Sequence, residues 1–216
     1  MIAFLDHVVL ICADLSRTSA WIGEQTGVAP TYGGRHSTGD THNALLGFGA
    51  TCYLEILAPT GPAAPGEHEW ARLARAASEP RVLTYCVRAV QPLPQLARAI
   101  TARGWREPQI IDGARIRPDG STLHWRVLMC AANPFGFAFP FFIDWLGEAH
   151  PAESLQALEG GAEVRLDDFS VGHPQARALA KALADVGQLA VTYPADTTEF
   201  RVTLETSRGV VMLPST

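Results

Sequence analysis

A chain of 216 residues, 47% apolar and 18% charged, carries enough material for a packed core in one domain or two small ones. Its formal net charge of −5, with a pI near 5.8, lacks the basic excess of a nucleic-acid binder. The longest apolar run, Phe135 to Leu146, is short and broken by Pro140 and Asp144, which excludes a membrane-spanning helix there.

Met1 to Leu5 leads into a strand-like segment without a basic start or a cleavage site. Cys12, Cys52, Cys86 and Cys130 stand apart with no CxxC pair. Both features point to a reducing cytoplasm, with the cysteines as small buried side chains. Phe4 to Ala13 reads as the first strand. Asp14 caps a helix that ends at Gly27, and a glycine-rich loop (Gly33, Gly34) follows. Strands over Asn43–Phe48 and Thr51–Leu57, split by Gly49–Ala50, come next, and the stretch as a whole is read as a β, α, β, β, β order. Pro59–Gly66 is a connector and Glu67–Ala77 a crossing helix.

The order then recurs. Arg81–Val90 is a strand, Leu93 to Ile100 holds helical spacing until Gly104, and Glu107–Arg117 and Thr122–Cys130 flank a Pro118-Asp119-Gly120 turn. Phe137–Trp145 reads as the closing apolar strand. Pro151–Gly161 links onward and accommodates a short helix. A third round has a strand at Val164–Val171, a helix that Pro174 opens and Gly187 ends, and strands at Leu189–Tyr193, Phe200–Thr206 and Val210–Leu213. Taking His7, Thr84 and Asp168 as equivalent, the helix-ending glycines follow 20, 20 and 19 residues later. Such self-similarity is the mark of a repeated supersecondary unit. Leu54-Glu55-Ile56 aligns with Ile143-Asp144-Trp145 in the same scheme.

Leu5-Asp6-His7-Val8-Val9, Thr41-His42-Asn43-Ala44-Leu45, Tyr53-Leu54-Glu55-Ile56 and Pro140-Phe141-Phe142-Ile143-Asp144-Trp145 together resemble the vicinal-oxygen-chelate superfamily, in its glyoxalase-like group. The resemblance covers Phe4 to Trp145, and the third round follows only in pattern. It implies an α+β fold of repeated βαβββ modules forming a curved mixed sheet around a cavity, with a third module alongside. The modules fall at residues 1–60, 81–147 and 162–216, the first two forming one glyoxalase-like domain. An odd module leaves a sheet edge to cover, which is compatible with a homodimer.

The resemblance also implies metal ligands on first and fourth strands, and His7 and Glu55 occupy those positions. Strand alternation puts Leu5, His7, Val9 and Ile11 on one face, and Tyr53, Glu55 and Leu57 on one face of the fourth strand. A lone polar side chain in an apolar strand needs an ion, a ligand or a polar partner, and a simple His–Glu contact would also serve. The second module offers Thr84 where His7 stands and Asp144 where Glu55 stands. The resulting set of His7, Glu55 and Asp144 is oxygen-rich and favours Mg²⁺, Mn²⁺ or Fe²⁺ over tetrahedral zinc. The cofactor is therefore a divalent metal (Mn, Fe, Mg, Ni or Zn) or none.

Two polar groups are candidates for substrate contact. Arg35, His36, His42 and Asn43 belong to the loop entering the third strand. His124 and Arg126 share a strand face beside Arg115 and Arg117 on the second hairpin; a cationic patch there facing the cavity would suit a carboxylate or enolate, but a solvated hairpin is the preferred reading. The implied function is a small-molecule lyase, isomerase or dioxygenase acting on an oxygenated substrate, with His7 and Glu55 as ligand and base. The alternatives are a metal-free binding protein of the same fold, and an interaction module whose cavity is filled by Trp125, Phe137 and Phe139.

Overall fold

A computed structural model describes residues 4–105, 108–158, 164–186 and 191–215. Met1–Ala3, Glu107, Gly161, Gly187 and Leu189, on which parts of the predicted elements rest, lie outside the described residues. No described helix is long and apolar enough to cross a membrane.

The first half follows the predicted order: β1 (Phe4–Ile11), α1 (Leu15–Thr26), β2 (Thr31–His36), β3 (Thr41–Gly47) and β4 (Tyr53–Pro59). Asp14 is extended and its carboxylate accepts from the Arg17 N–H, while Gly27 at φ +81° closes α1 in the left-handed conformation. Next come α2 (Glu69–Ala76), β5 (Arg81–Arg88), α3 (Leu93–Thr101), β6 (Gln109–Ile116), β7 (Thr122–Met129), β8 (Phe141–Asp144) and α4 (Pro151–Leu158). The last part holds β9 (Arg165–His173), α5 (Ala176–Ala184), β10 (Val191–Pro194), β11 (Glu199–Thr206) and β12 (Gly209–Met212).

Strands β1 to β8 close into a barrel in the order β1-β4-β3-β2-β6-β7-β8-β5. In each half the first strand pairs in parallel with the fourth, β1 with β4 and β5 with β8. The halves join through antiparallel β1–β5 and through a short β2–β6 contact, Arg35↔Ile116 and His36↔Arg115. Strand alternation then sorts the core. Val8, Leu10, Leu54 and Ile56 point outward into the layer that α1 and α3 cover, and Val9, Ile11, Leu57 and Ile143 point inward. Helices α2 and α4 add Ala74, Ala152 and Leu155 to the inner cluster.

Strands β9 to β12 form a separate sheet, β10-β9-β11-β12, packed on the outer side of β5. The Tyr85 ring meets Phe169 at 4.8 Å and Phe200 at 6.3 Å there. The third βαβββ run thus lies beside the barrel, but its first strand pairs with β10 and β11 rather than with its last strand. Its edge strands leave Val191, Val210 and Met212 exposed.

Two predicted elements differ. Gly33 and Gly34 lie within β2 rather than in a loop, at a register shift between Tyr32 and Gly34. The closing strand of the second half is shorter than expected, because Gly136–Ala138 forms a 3₁₀ turn and only Phe141–Asp144 is extended. Pro174 lies two residues before the helix rather than in its first turn, with Gln175 as the capping residue.

Candidate functional site

The barrel interior narrows on a buried polar chain that begins at Asp6. A bulge between Leu5 and His7 breaks the β1 alternation, so adjacent Asp6 and His7 are both enclosed. Asp6 is fully buried. Its Oδ2 accepts from Trp145 Nε1 at 2.9 Å and Arg88 Nε at 3.2 Å. His150 Nε2 stands 3.2 Å from the same oxygen, and its Nδ1 accepts the Ala152 N–H, which leaves the proton on Nε2. Burial alone would raise the Asp6 pKa. The close contacts with His150 and His7, with the attraction of both rings, overcome it and hold the carboxyl far below the usual range.

Because a carboxylate only accepts, the 2.8 Å contact with Asp6 Oδ1 makes His7 Nδ1 the donor. Nε2 therefore faces the cavity, 3.6 Å from Glu55 Oε2, while the ring stacks on Tyr53 at 4.7 Å. Parallel pairing of β1 and β4 sets His7 beside Tyr53 and Val9 beside Glu55, so both polar groups project inward. Glu55 Oε1 accepts from Asn43 Nδ2 at 2.6 Å, and His36 Nε2 lies 3.7 Å from it. Asn43 Oδ1 accepts from Arg115 Nη1 at 3.3 Å. That pair of neighbours fixes the amide's orientation, since the guanidinium only donates and the carboxylate only accepts. Burial pushes His36 below its ordinary value of 6.5 against the pull of Glu55, which keeps the ring neutral at pH 7.

Gly33 makes this chain fit. A Cβ there would lie 2.4 Å from Asn43 Oδ1 and 2.9 Å from Arg115 Nη1. Gly33→Ala is expected to force both side chains aside and cost about 1–3 kcal/mol as an overpacked site. Gly61→Ala, where an added Cβ meets nothing within 4 Å, is the matched control, and paired thermal melts check the difference.

Of the residues singled out from sequence, His7, Glu55, His36 and Asn43 meet in the cavity. The others lie elsewhere. Arg35 turns outward and donates to Gly39 O at 3.0 Å, and His42 lies outside the cavity edge-on to Tyr32. His124 is exposed, and Arg126 pairs with Asp112 at 2.7 Å on the hairpin surface. Asp168 is exposed in the second sheet. Asp144 is exposed on the outer face of β8, where it accepts the Leu146 N–H, while Ile143 takes the inward position. Sequence reasoning missed Asp6 and Tyr53, and it preferred a solvated hairpin for Arg115, which instead lies buried at the cavity. A buried arginine opposite a Gly-Gly strand leaves no periodic signal of its own.

The expected set of His7, Glu55 and Asp144 is therefore not assembled. Thr84, at the second-module position, donates its hydroxyl to Phe137 O at 2.9 Å. Among the described residues, a tight donor cluster forms at Asp6, His7 and Cys86, within 4.8 Å of one another. Asp6 is already saturated by four neighbours, and the His7 nitrogen facing it carries a proton. Burial, with the negative charge of Asp6 and Glu55, pushes the Cys86 thiol well above its usual range. These donors do not fit a resident divalent metal.

The cavity measures about 190 Å³ and is walled by Trp125, Phe141, Ile143 and Trp145 around the polar chain. That is below the roughly 300–1,000 Å³ typical of drug-sized ligands, so it suits a small metabolite.

A family model described as a glyoxalase-like domain matches residues 5–187. No curated protein matches the chain. A hypothetical protein from Staphylococcus aureus shares the fold at TM-score 0.65 and 14% identity, over 99% of this chain and 86% of that one. A variant of 4-hydroxymandelate synthase from Streptomyces coelicolor aligns at TM-score 0.51 and 14% identity, over 99% of this chain and 62% of that one. Methylmalonyl-CoA epimerase from Mycobacterium tuberculosis aligns at TM-score 0.44 and 17% identity, over 65% of this chain and 85% of that one. At these identities the first two show a likeness of fold alone.

Proposed function

The chain belongs to the glyoxalase-like domain family, within the vicinal-oxygen-chelate superfamily, and on that premise we propose that it is a small-molecule isomerase or lyase using Glu55 as a base. The observation that carries this reading is the free Glu55 Oε2. Among the described residues it accepts no hydrogen bond, and it faces His7 Nε2 at 3.6 Å inside a largely apolar cavity. A carboxylate held by one oxygen and bare at the other is arranged to take a proton. A C–H beside a carbonyl is the group of a small oxygenated molecule that needs such a base.

Each neighbour then has a task. Asn43 holds Oε1, so that the proton arrives at Oε2. Asp6 keeps His7 in the tautomer whose Nε2 faces the carboxylate, and His7 relays the proton between Glu55 and the product carbon or water. Tyr53, Trp125 and Phe141 exclude water, which strengthens every charge interaction inside. Oxygen-activating chemistry is a weaker reading, because it would require a metal and the tight donor cluster of Asp6, His7 and Cys86 does not fit one.

The test is hydrogen–deuterium exchange in D₂O, read by NMR, on a panel of 2-oxo acids, 2-hydroxy ketones and acyl thioesters. Exchange at the carbon beside the carbonyl, dependent on the protein and lost on boiling, is the expected result. Tight binding of a panel member without exchange would instead support the non-catalytic binding protein.

A further inference from the structure

Arg115 is 5% exposed, and although burial draws its guanidinium below the ordinary value, an arginine stays charged near neutral pH. Burying such a charge is costly unless it is paired and hydrogen-bonded. Yet among the described residues its hydrogen bond is the single 3.3 Å contact to Asn43 Oδ1, its Nε has no partner, and it forms no salt bridge. Arg88, by contrast, pairs directly with Asp6 at 3.2 Å. Glu55 attracts Arg115 by charge, but the hydrogen bonds between them run through Asn43.

The surroundings are built around this cation. Gly33 leaves room for Nη1, and Gly113, the cross-strand partner of Trp125, leaves room for the indole. A Cβ at Gly113 would lie within 3.0 Å of three indole atoms. At Gly33 and Gly113 the side chain that would fill the space beside Arg115 Nη1 and the Trp125 indole is therefore missing.

We infer that the substrate is an oxyanion, held by Arg115, and that this fixed guanidinium takes the place a divalent metal would have in holding the substrate's oxygens. The inference rests on the cavity being a small-molecule site and not on Glu55 being its base. It explains why the second-half ligand positions are free to be Thr84 and Ile143: a planar fork with paired N–H donors holds two oxygens of one group without them. It also places positive charge where negative charge develops on the substrate when Glu55 removes a proton.

Calorimetry on the full chain in EDTA tests this with oxalate, inorganic phosphate and neutral oxamide as probes. Oxalate or phosphate is expected to bind and oxamide not; which anion binds more tightly distinguishes a carboxylate substrate from a phosphorylated one. Arg115→Met should weaken binding about 30-fold or more. Arg115→Lys, which keeps the charge and removes the fork, should lose part of that affinity and covers the case in which the Met variant fails to fold. Glu55→Gln, which removes a negative charge from the cavity, should bind oxalate at least as tightly as wild type. Anion binding that is absent, that survives both Arg115 substitutions unchanged, or that appears only on adding Mn²⁺ or Zn²⁺ overturns the inference. Oxalate binding without carbonyl-adjacent exchange leaves the anion site standing and overturns the base; exchange confined to uncharged substrates does the reverse.

Discussion

Glu55→Gln is expected to slow substrate deprotonation by about 10²–10⁴-fold while leaving the fold intact. Gln has the same shape, and its amide oxygen can still accept the Asn43 hydrogen bond made to Oε1. What it lacks is a basic oxygen at the position that faces His7. The loss should therefore fall on kcat with little change in KM, the pattern of a group that acts in the transition state rather than in binding. Asn43→Ala should act in the same direction but less strongly, because it frees Glu55 to rotate without removing the base. A kcat for Glu55→Gln within a few-fold of wild type, on a substrate that exchanges in D₂O, would remove Glu55 from the role of base. His7 would then be the group to test, since its Nε2 is the other proton-accepting atom on that line.

The parts of the site that were legible in the sequence are those that follow strand alternation. His7 and Glu55 are polar interruptions of apolar strands, and parallel β1–β4 pairing puts their side chains on the same face. The same rule failed where the backbone departs from it. Asp6 should point away from His7, but with the register shift after Leu5 both are buried and their side chains meet. Asp144 was aligned with Glu55, yet Ile143 is the inward residue, and a one-residue slip moves a side chain to the opposite face. Arg115 was read together with Arg117, His124 and Arg126 as a hairpin surface. The solvated reading holds for the exposed ones and fails for Arg115, whose space is created by Gly33 in a distant strand. A Gly-Gly pair looks like a turn in one dimension. Its use as clearance for a facing side chain becomes visible only once β2 and β6 are neighbours.

The closing strand was misread for a related reason. Phe137 to Trp145 is apolar throughout, and composition alone does not separate a strand from a turn that packs its aromatic rings. The third run of elements shows the same limit at a larger scale. Its βαβββ order is present, but order does not specify which strands pair, and β9 is flanked by β10 and β11.

Asp6→Asn is expected to cost about 3–5 kcal/mol, since it leaves Arg88 and His150 without their buried anion. For a chain of this size such a loss lowers the melting temperature by on the order of 10 °C. The effect should depend on pH in a definite sense. The folded carboxyl lies below its ordinary value of 3.8, so the unfolded chain binds the proton more readily. The stability that Asp6 contributes is then complete above about pH 5 and is lost as pH falls through 3.8 toward the folded value. Wild type and variant should accordingly differ by a constant amount from neutral pH down to about pH 5 and converge below it, as urea unfolding at stepped pH would show. A gap that stays constant to pH 3 would mean that Asp6 acts through shape and hydrogen bonding rather than through charge. His7 supplies the link to function. Without the Asp6 carboxylate its Nδ1 proton is no longer fixed, and Nε2 would face Glu55 in either tautomer. Asp6→Asn should thus reduce kcat even at temperatures where the variant remains folded, whereas Arg88→Met, which removes a partner on the far oxygen of Asp6, should lower stability with a smaller effect on kcat.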